Sequence, residues 1–181
     1  KELSDRVAGT LIEQIDHLNQ IANEFSQFAQ IGESKKELFN MNEAISSVLQ
    51  LYATNNKLHL IHELLPNPVM IMADKTQINR LFTNLVLNAI QSVPEGSQII
   101  IEVHQHILED NVLTRITDNG QGINESIKPR IFTPNFTTKN SGTGLGLAMC
   151  KRIVEQAEGE IWFETTVGKG TSFFVKIPLA G

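Results

Sequence analysis

The residues best suited to chemistry lie between Asp118 and Leu147. The stretch opens with Asp118-Asn119-Gly120-Gln121-Gly122-Ile123 and closes with Gly142-Thr143-Gly144-Leu145-Gly146-Leu147. A polar, proline-broken segment, Phe132-Thr133-Pro134-Asn135-Phe136-Thr137-Thr138-Lys139, separates the two glycine clusters. A carboxylate at a strand end followed by Gly120 and Gly122 suits a flat base. Asp118 can accept from an amine, and glycine lets backbone come close. Asn-Gly alone suggests a hairpin, but Asn124-Glu125-Ser126-Ile127-Lys128 continues as a capped helical turn rather than an alternating return strand. The second cluster lacks the Lys-Ser/Thr ending of a Walker loop and does not follow an apolar strand as the dinucleotide motif does. It shares their physics, because its glycines expose N–H groups and a helix starting near Gly144 adds its positive end. Phosphates are the natural guest, with Lys139 as a nearby point charge. The plain alternative is a flexible linker, yet a linker does not run into Leu145-Gly-Leu-Ala-Met-Cys-Lys-Arg-Ile-Val. Two sites of backbone approach flanking a cover have the layout of a nucleotide pocket with a lid.

A third candidate group sits on a helix upstream. Asp74-Lys75-Thr76-Gln77 is a capping box, and the helix it opens is expected to run to about Val93. Ile78, Leu81, Phe82, Leu85, Val86, Ala89 and Ile90 give it a wide apolar face. Gln77, Arg80, Asn84, Asn88 and Gln91 recur at spacings of three and four and share the opposite face. Solvated faces normally carry Glu, Lys and Arg, and each Asn loses a few tenths of a kcal/mol in helix propensity against them. The face is either an indifferent polar surface or a pair of amide oxygens, on Asn84 and Asn88, aimed at a ligand or metal.

The elements that position these groups follow from periodicity. Residues 1–31 contain no Pro, and Leu11, Leu18 and Phe25, Ile21 and Phe28, and Ile15, Ala22 and Ala29 each recur every seven. Three such rows fit a helix packing into a bundle. The stripe must be buried against a partner helix or folded back onto its own domain. Ile31-Gly32-Glu33-Ser34-Lys35-Lys36 breaks the pattern and reads as a linker. Asn40 or Asn42 can cap a second helix carrying Ile45, Val48, Leu49 and Tyr52. Strands are expected at residues 58–64, around 69–72, at 98–107 and at 112–117. After the glycine loop comes a helix to about Glu158 with Gly159 as its C-terminal cap. Strands at 160–165 and 171–177 follow, joined by a Val167-Gly168-Lys169-Gly170 turn.

The 181-residue length suits one domain with a helical appendage. A net charge of −5 with scattered Lys and Arg argues against a nucleic-acid surface. One cysteine, Cys150, excludes an internal disulfide framework and reads as a buried small hydrophobe. His59, His62, His104 and His106 have no ligand spacing and read as ordinary surface histidines. No apolar run approaches the roughly 20 residues that span a bilayer, and no signal peptide is evident. The cytoplasm is the expected compartment. Lys1 stands in what looks like mid-helix, so the chain is expected to be a piece of a longer protein, whose membrane anchoring it leaves open.

In order, these segments closely resemble the catalytic, ATP-binding domain of sensor histidine kinases, a branch of the Bergerat-fold superfamily shared with gyrase, the heat-shock chaperone ATPase and mismatch-repair ATPases. The likeness covers residues 38–179 and five motifs. Asn84-Leu-Val-Leu-Asn88-Ala resembles the N box, and Asp118-Asn-Gly-Gln-Gly122-Ile the first glycine box. Phe132-Thr-Pro-Asn-Phe136-Thr-Thr-Lys139 resembles the F box of nitrogen-sensor-like kinases. Gly142-Thr-Gly-Leu-Gly146-Leu-Ala and Gly168-Lys-Gly170-Thr-Ser are similar to the second and third glycine boxes.

The resemblance implies an α/β sandwich, a mixed sheet with helices on one face, preceded by a long bundle helix. It divides the chain into residues 1–31, the second helix of a dimerisation hairpin, a linker at 32–37 and a catalytic domain at 38–181. It implies ATP and Mg2+ as ligands, with Asn88 on the metal, Asn84 one turn earlier beside the phosphates, Gln91 also in the ATP-binding set, and Asp118 on the adenine amine. Gly122 and Ile123 would line the base, Thr171 would support the adenine end, and Gly120 and Phe132 would also belong to the ATP-binding set. Lys139 and the loop of Gly142, Thr143, Gly144, Leu145, Gly146 and Leu147 would hold the phosphates, with residues 124–143 as the lid. ATPases of the superfamily carry a water-activating Glu one turn before the metal Asn. Asn84 stands there, so transfer to an acceptor is favoured over hydrolysis. The acceptor in the family is a histidine on the first helix of the hairpin, followed by an acidic residue and then a proline. None of the five histidines fits that setting, and His17 lies on the helix resembling the second one. The implied partners are therefore an acceptor histidine and dimerisation helix outside this chain, a second copy in a homodimer, and a response-regulator receiver domain. A gyrase-like or chaperone-like ATPase and a degenerate nucleotide-binding module are the alternatives.

Overall fold

The computed structural model describes residues 2–138 and 142–181. Helix α1 spans Glu2–Gln30 and closes in a three-residue 3-10 turn, Ile31–Glu33. Strand β1 (Glu37–Asn40), helix α2 (Met41–Tyr52), β2 (Leu58–Glu63), β3 (Met70–Ala73) and α3 (Lys75–Ser92) follow. Then come β4 (Ile99–Leu108), β5 (Asn111–Asp118), α4 (Gly146–Gln156), β6 (Glu160–Thr166) and β7 (Gly170–Pro178). Five strands form one sheet in the order β2-β4-β5-β7-β6, and β1 pairs with β3 in a separate ribbon. Only β2 and β4 run parallel within the large sheet, which makes it mixed.

The expected α/β sandwich is the one observed, with the helices on one face of the sheet. Ile78, Leu81, Phe82, Leu85, Val86 and Ala89 of α3 are buried, as the spacing predicts. They meet the inward rows of the sheet, including Val103, Ile116, Phe173 and Val175. The cap of α3 forms as read: Asp74 accepts from the Gln77 N–H at 3.0 Å. Asn40 rather than Asn42 caps α2, accepting from the Asn42 N–H at 3.1 Å.

Three boundaries differ from expectation. Strand β1 was not anticipated, because four residues carry no readable period and one of its two apolar side chains, Leu38, faces outward. It starts at Glu37, inside the stretch read as linker. That stretch is pinned: Ile31 is fully buried, and the Lys35 N–H donates to Asp74 Oδ2 at 2.9 Å. Helix α4 begins at Gly146 and ends at Gln156, short of the expected limits at both ends. Its left-handed terminal residue is Glu158, at φ 60°, not Gly159. Lys36 holds that glutamate in a 2.7 Å ion pair and keeps its carboxyl below the usual range. Gly159 is needed for a different reason, since a Cβ there would stand 2.3 Å from the Lys176 carbonyl oxygen.

Candidate functional site

Strand alternation places the first functional group. Along β5, Val112, Thr114, Ile116 and Asp118 point to the helix side and are buried. Asp118, the last of them, is 4% exposed and lies at the end of the strand beneath the end of α3. Its Oδ1 accepts from the Gly120 N–H at 2.8 Å and from the Ser92 hydroxyl at 2.9 Å. Gly120 is required by this closure, because a Cβ there would fall 2.0 Å from Ser92 Oγ. The β5–β7 register pairs Thr117 with Ser172, and one residue further on brings Thr171, also buried, opposite Asp118.

The two other base-end residues are tied in by one hydroxyl. Thr165 Oγ1 accepts from the Ile123 N–H at 2.9 Å and lies 3.0 Å from both Thr171 Oγ1 and the Gly170 carbonyl. The Gln121 N–H donates to the Ser92 carbonyl, and the Gly168 N–H donates to the Gln121 carbonyl. Asp118, Gly120, Ile123 and Thr171 are thus brought together at one end of the sheet.

The second end of the site is built by α3 and α4. Asn84 and Asn88 lie one turn apart on α3 and are half-buried, while Gln91 is exposed. The Asn84 amide Nδ2 donates to Met149 Sδ at 3.6 Å, across the α3–α4 contact. Beside it Cys150 is fully buried, and burial pushes its thiol far above the ordinary range, so it takes no part. Gly146 and Leu147 are the first residues of α4, whose leading N–H groups lack helical partners. Leu145 is buried, so only its backbone can face a ligand. The loop is closed by Gly144 at φ 72°, where a Cβ would stand 2.6 Å from the backbone of Asn135 and Phe136. Gly142 and Thr143 are half-buried. Lys139, with Asn140 and Ser141, lies outside the described residues.

Phe132, one of the expected ATP-binding residues, lies at the start of the cover segment. Its ring packs edge-on against Phe163 at 6.0 Å and Phe173 at 6.4 Å, which anchors the cover segment to the sheet. Arg130 lies over the Phe136 ring at 4.4 Å.

Sequence reading missed Ser92, Thr165, Met149 and Glu24. The first three are ordinary helix and strand residues whose roles depend on what stands opposite. Glu24 of α1 accepts a short hydrogen bond from the Thr143 hydroxyl. Arg152 of α4 donates to the Phe28 carbonyl at 3.4 Å and lies over the Phe28 ring at 5.2 Å. The end of α1 is therefore docked on the glycine loop and α4, while Leu11, Ile15, Leu18 and Phe25 remain 55–63% exposed.

His62-Glu63 followed by Pro66 carries part of the acceptor pattern, but His62 lies on β2, paired with Val103, and not on a helix. Among the described residues no cluster of three or more His, Cys, Asp or Glu could hold a metal. A cation at this site would rest on hard amide oxygens, ligand oxygens and water, a donor set that suits Mg2+.

The same fold occurs in known proteins. A family profile described as "Histidine kinase-, DNA gyrase B-, and HSP90-like ATPase" matches residues 73–181. Sporulation kinase D of Bacillus subtilis (strain 168) is 30% identical over 181 residues, covering 97% of this chain and 35% of that protein. The chain thus spans only about a third of the length of such curated relatives. The solved catalytic domain of histidine kinase ThkA is 32% identical with a TM-score of 0.72, covering 80% of this chain and 96% of that one. A structure of ThkA in complex with response regulator protein TrrA is 26% identical with a TM-score of 0.74, covering 93% of this chain and 49% of that one. With its buried strand-end aspartate, amide-bearing α3 and glycine-led α4, the chain belongs to the histidine kinase-, DNA gyrase B- and HSP90-like ATPase family, as the ATPase domain of a sensor histidine kinase.

Proposed function

We propose that this domain holds Mg2+ and ATP and donates the γ-phosphoryl group to a histidine on a helix outside the chain, for relay to a response-regulator aspartate. The observation that carries the reading is the continuity of α3. Asn84 and Ser92 are eight residues apart, an axial rise of about 12 Å. One rigid helix therefore supports the carboxylate at the base end and the amides at the phosphate end. The Asp118 carboxylate accepts the adenine amine, while the N–H groups at the start of α4 and the Gly142–Leu147 loop take the phosphate oxygens. Asn88 is the protein ligand for Mg2+, which when bound offsets phosphate charge.

Chemistry at the γ-phosphorus then needs an acceptor. A neutral amide at position 84 has no proton-accepting power comparable to a carboxylate, so it does not activate water. An imidazole nitrogen of the acceptor helix forms the new P–N bond as the bond from the γ-phosphorus to the bridging oxygen breaks and ADP leaves. The exposed apolar rows of α1 suit packing in a hairpin bundle and homodimer. The response-regulator step is supported by ThkA, which has been solved with such a partner. Cytoplasmic placement of the domain fits a source of ATP.

In the parent protein, γ-labelled ATP should leave acid-labile, base-stable label on protein, and Asn88→Asp should abolish it. The isolated chain should show only background ADP release. Steady ATP turnover by the chain alone would favour the ATPase alternative. A chain that binds no nucleotide would favour the degenerate module.

A further inference from the structure

The hydroxyl of Ser92 lies in the wall of the base end, on a residue outside the motifs that mark the site. We infer that Ser92 is a positioning residue for base recognition, fixing the Asp118 carboxylate through Oδ1 so that it meets an exocyclic amine. The inference rests on the nucleotide-binding reading above.

The hydroxyl has one proton and two acceptors in reach, the Ala89 carbonyl at 2.8 Å and Asp118 Oδ1 at 2.9 Å. The charged acceptor forms the stronger bond. The adjoining loop also donates to Oδ1 through the Gly120 N–H, which arrives from the residue that encloses the pair. The Ser92 hydroxyl and the Gly120 N–H reach Oδ1 from different elements, so each limits the turning of the carboxylate about its bond to Cβ. The Ser92 carbonyl adds a second hold by accepting from the Gln121 N–H at 3.1 Å, so one residue grips both ends of the Asp118–Gln121 loop. Ser92 also ends the helix that bears Asn84 and Asn88. Its hydroxyl therefore sets the register between the base-recognising carboxylate and the phosphate end.

The test is calorimetric titration of the whole chain with ATP and with purine riboside 5′-triphosphate, which lacks the exocyclic amine. Ser92→Ala and Ser92→Thr are compared with the unsubstituted chain, and a thermal melt checks each fold. Loss of a hydrogen bond to a charged group should weaken ATP binding about tenfold in Ser92→Ala. The amine-free nucleotide should change by less than about twofold, since it makes no use of the carboxylate's aim. Ser92→Thr, which keeps the hydroxyl, should restore the ratio. Equal weakening of both nucleotides would show a merely structural role and overturn the inference, as would an unchanged ratio. Failure of the unsubstituted chain to bind either nucleotide would overturn the nucleotide reading itself, and the inference with it.

Discussion

Substitution of Gly144 by alanine should separate ligand affinity from global stability. The residue sits at φ 72°, and its new Cβ would lie 2.6 Å from backbone atoms of Asn135 and Phe136, with no flexible side chain to swing aside. Ordinary contact requires the two backbone segments to part by about 1 Å. The left-handed conformation costs alanine about 1–2 kcal/mol, and the overlap a further 1–3 kcal/mol. The cheapest relief is detachment of the exposed cover at residues 133–138. That gives up the Arg130–Phe136 contact and the packing of half-buried Phe136 at the edge of the core, together about 1–2 kcal/mol, and leaves the fully buried residues in place. Gly144→Ala should therefore lower the melting temperature by only about 2–6 °C while weakening ATP binding at least tenfold. Calorimetric titration and a thermal melt on the same sample measure both. An ATP affinity within twofold of the parent would refute the placement of this loop at the phosphates. Weakened binding with a melting temperature lowered by some 10 °C would refute the local relief.

Three further outcomes follow from the same geometry. Phe132→Ala removes a half-buried ring from the Phe163–Phe173 cluster and should cost about 2–3 kcal/mol in urea denaturation, whereas an unchanged midpoint would show that the ring does not anchor the cover. Glu24→Gln removes a negative charge bonded to Thr143 of the glycine loop and should tighten ATP binding about two- to fivefold, more at low salt; no change would place Glu24 away from the phosphates. Burial raises the Cys150 thiol, so below the unfolded value of about 8.5 it is neutral in both states, and above it only the unfolded chain ionises. Stability should fall with pH above about 8.5, less steeply in Cys150→Ala, and the native thiol should resist alkylation at pH 8; rapid labelling without unfolding would contradict its burial.

What could be foreseen depended on how local the cause was. The inward face of α3 and the Asp74 cap are encoded within a turn or two, and both form as the spacing predicts. Asp118 and Gly120 stood out in the sequence as a carboxylate and a point of backbone approach, but the bond between them is seen only in the fold. Ser92, Thr165 and Met149 were not, since a serine, a threonine and a methionine gain their roles from residues 26, 42 and 65 positions away. Strand β1 escaped because its pairing with β3, and not its own four residues, makes it a strand. The contact of Glu24 with Thr143 spans 119 residues and carries no local mark. Phe132 was recognised as a motif residue, but its aromatic neighbours on β6 and β7 decide that it anchors the cover.

The central claim is that one pocket, from Asp118 to Asn88, takes ATP with Mg2+. Calorimetric titration of the chain with ATP, with and without Mg2+, tests it most directly when repeated on Asp118→Ala and Asn88→Asp. Binding that disappears in Asp118→Ala and whose metal dependence changes in Asn88→Asp is the predicted result. No ATP binding by the folded chain, or full affinity in Asp118→Ala, would contradict it.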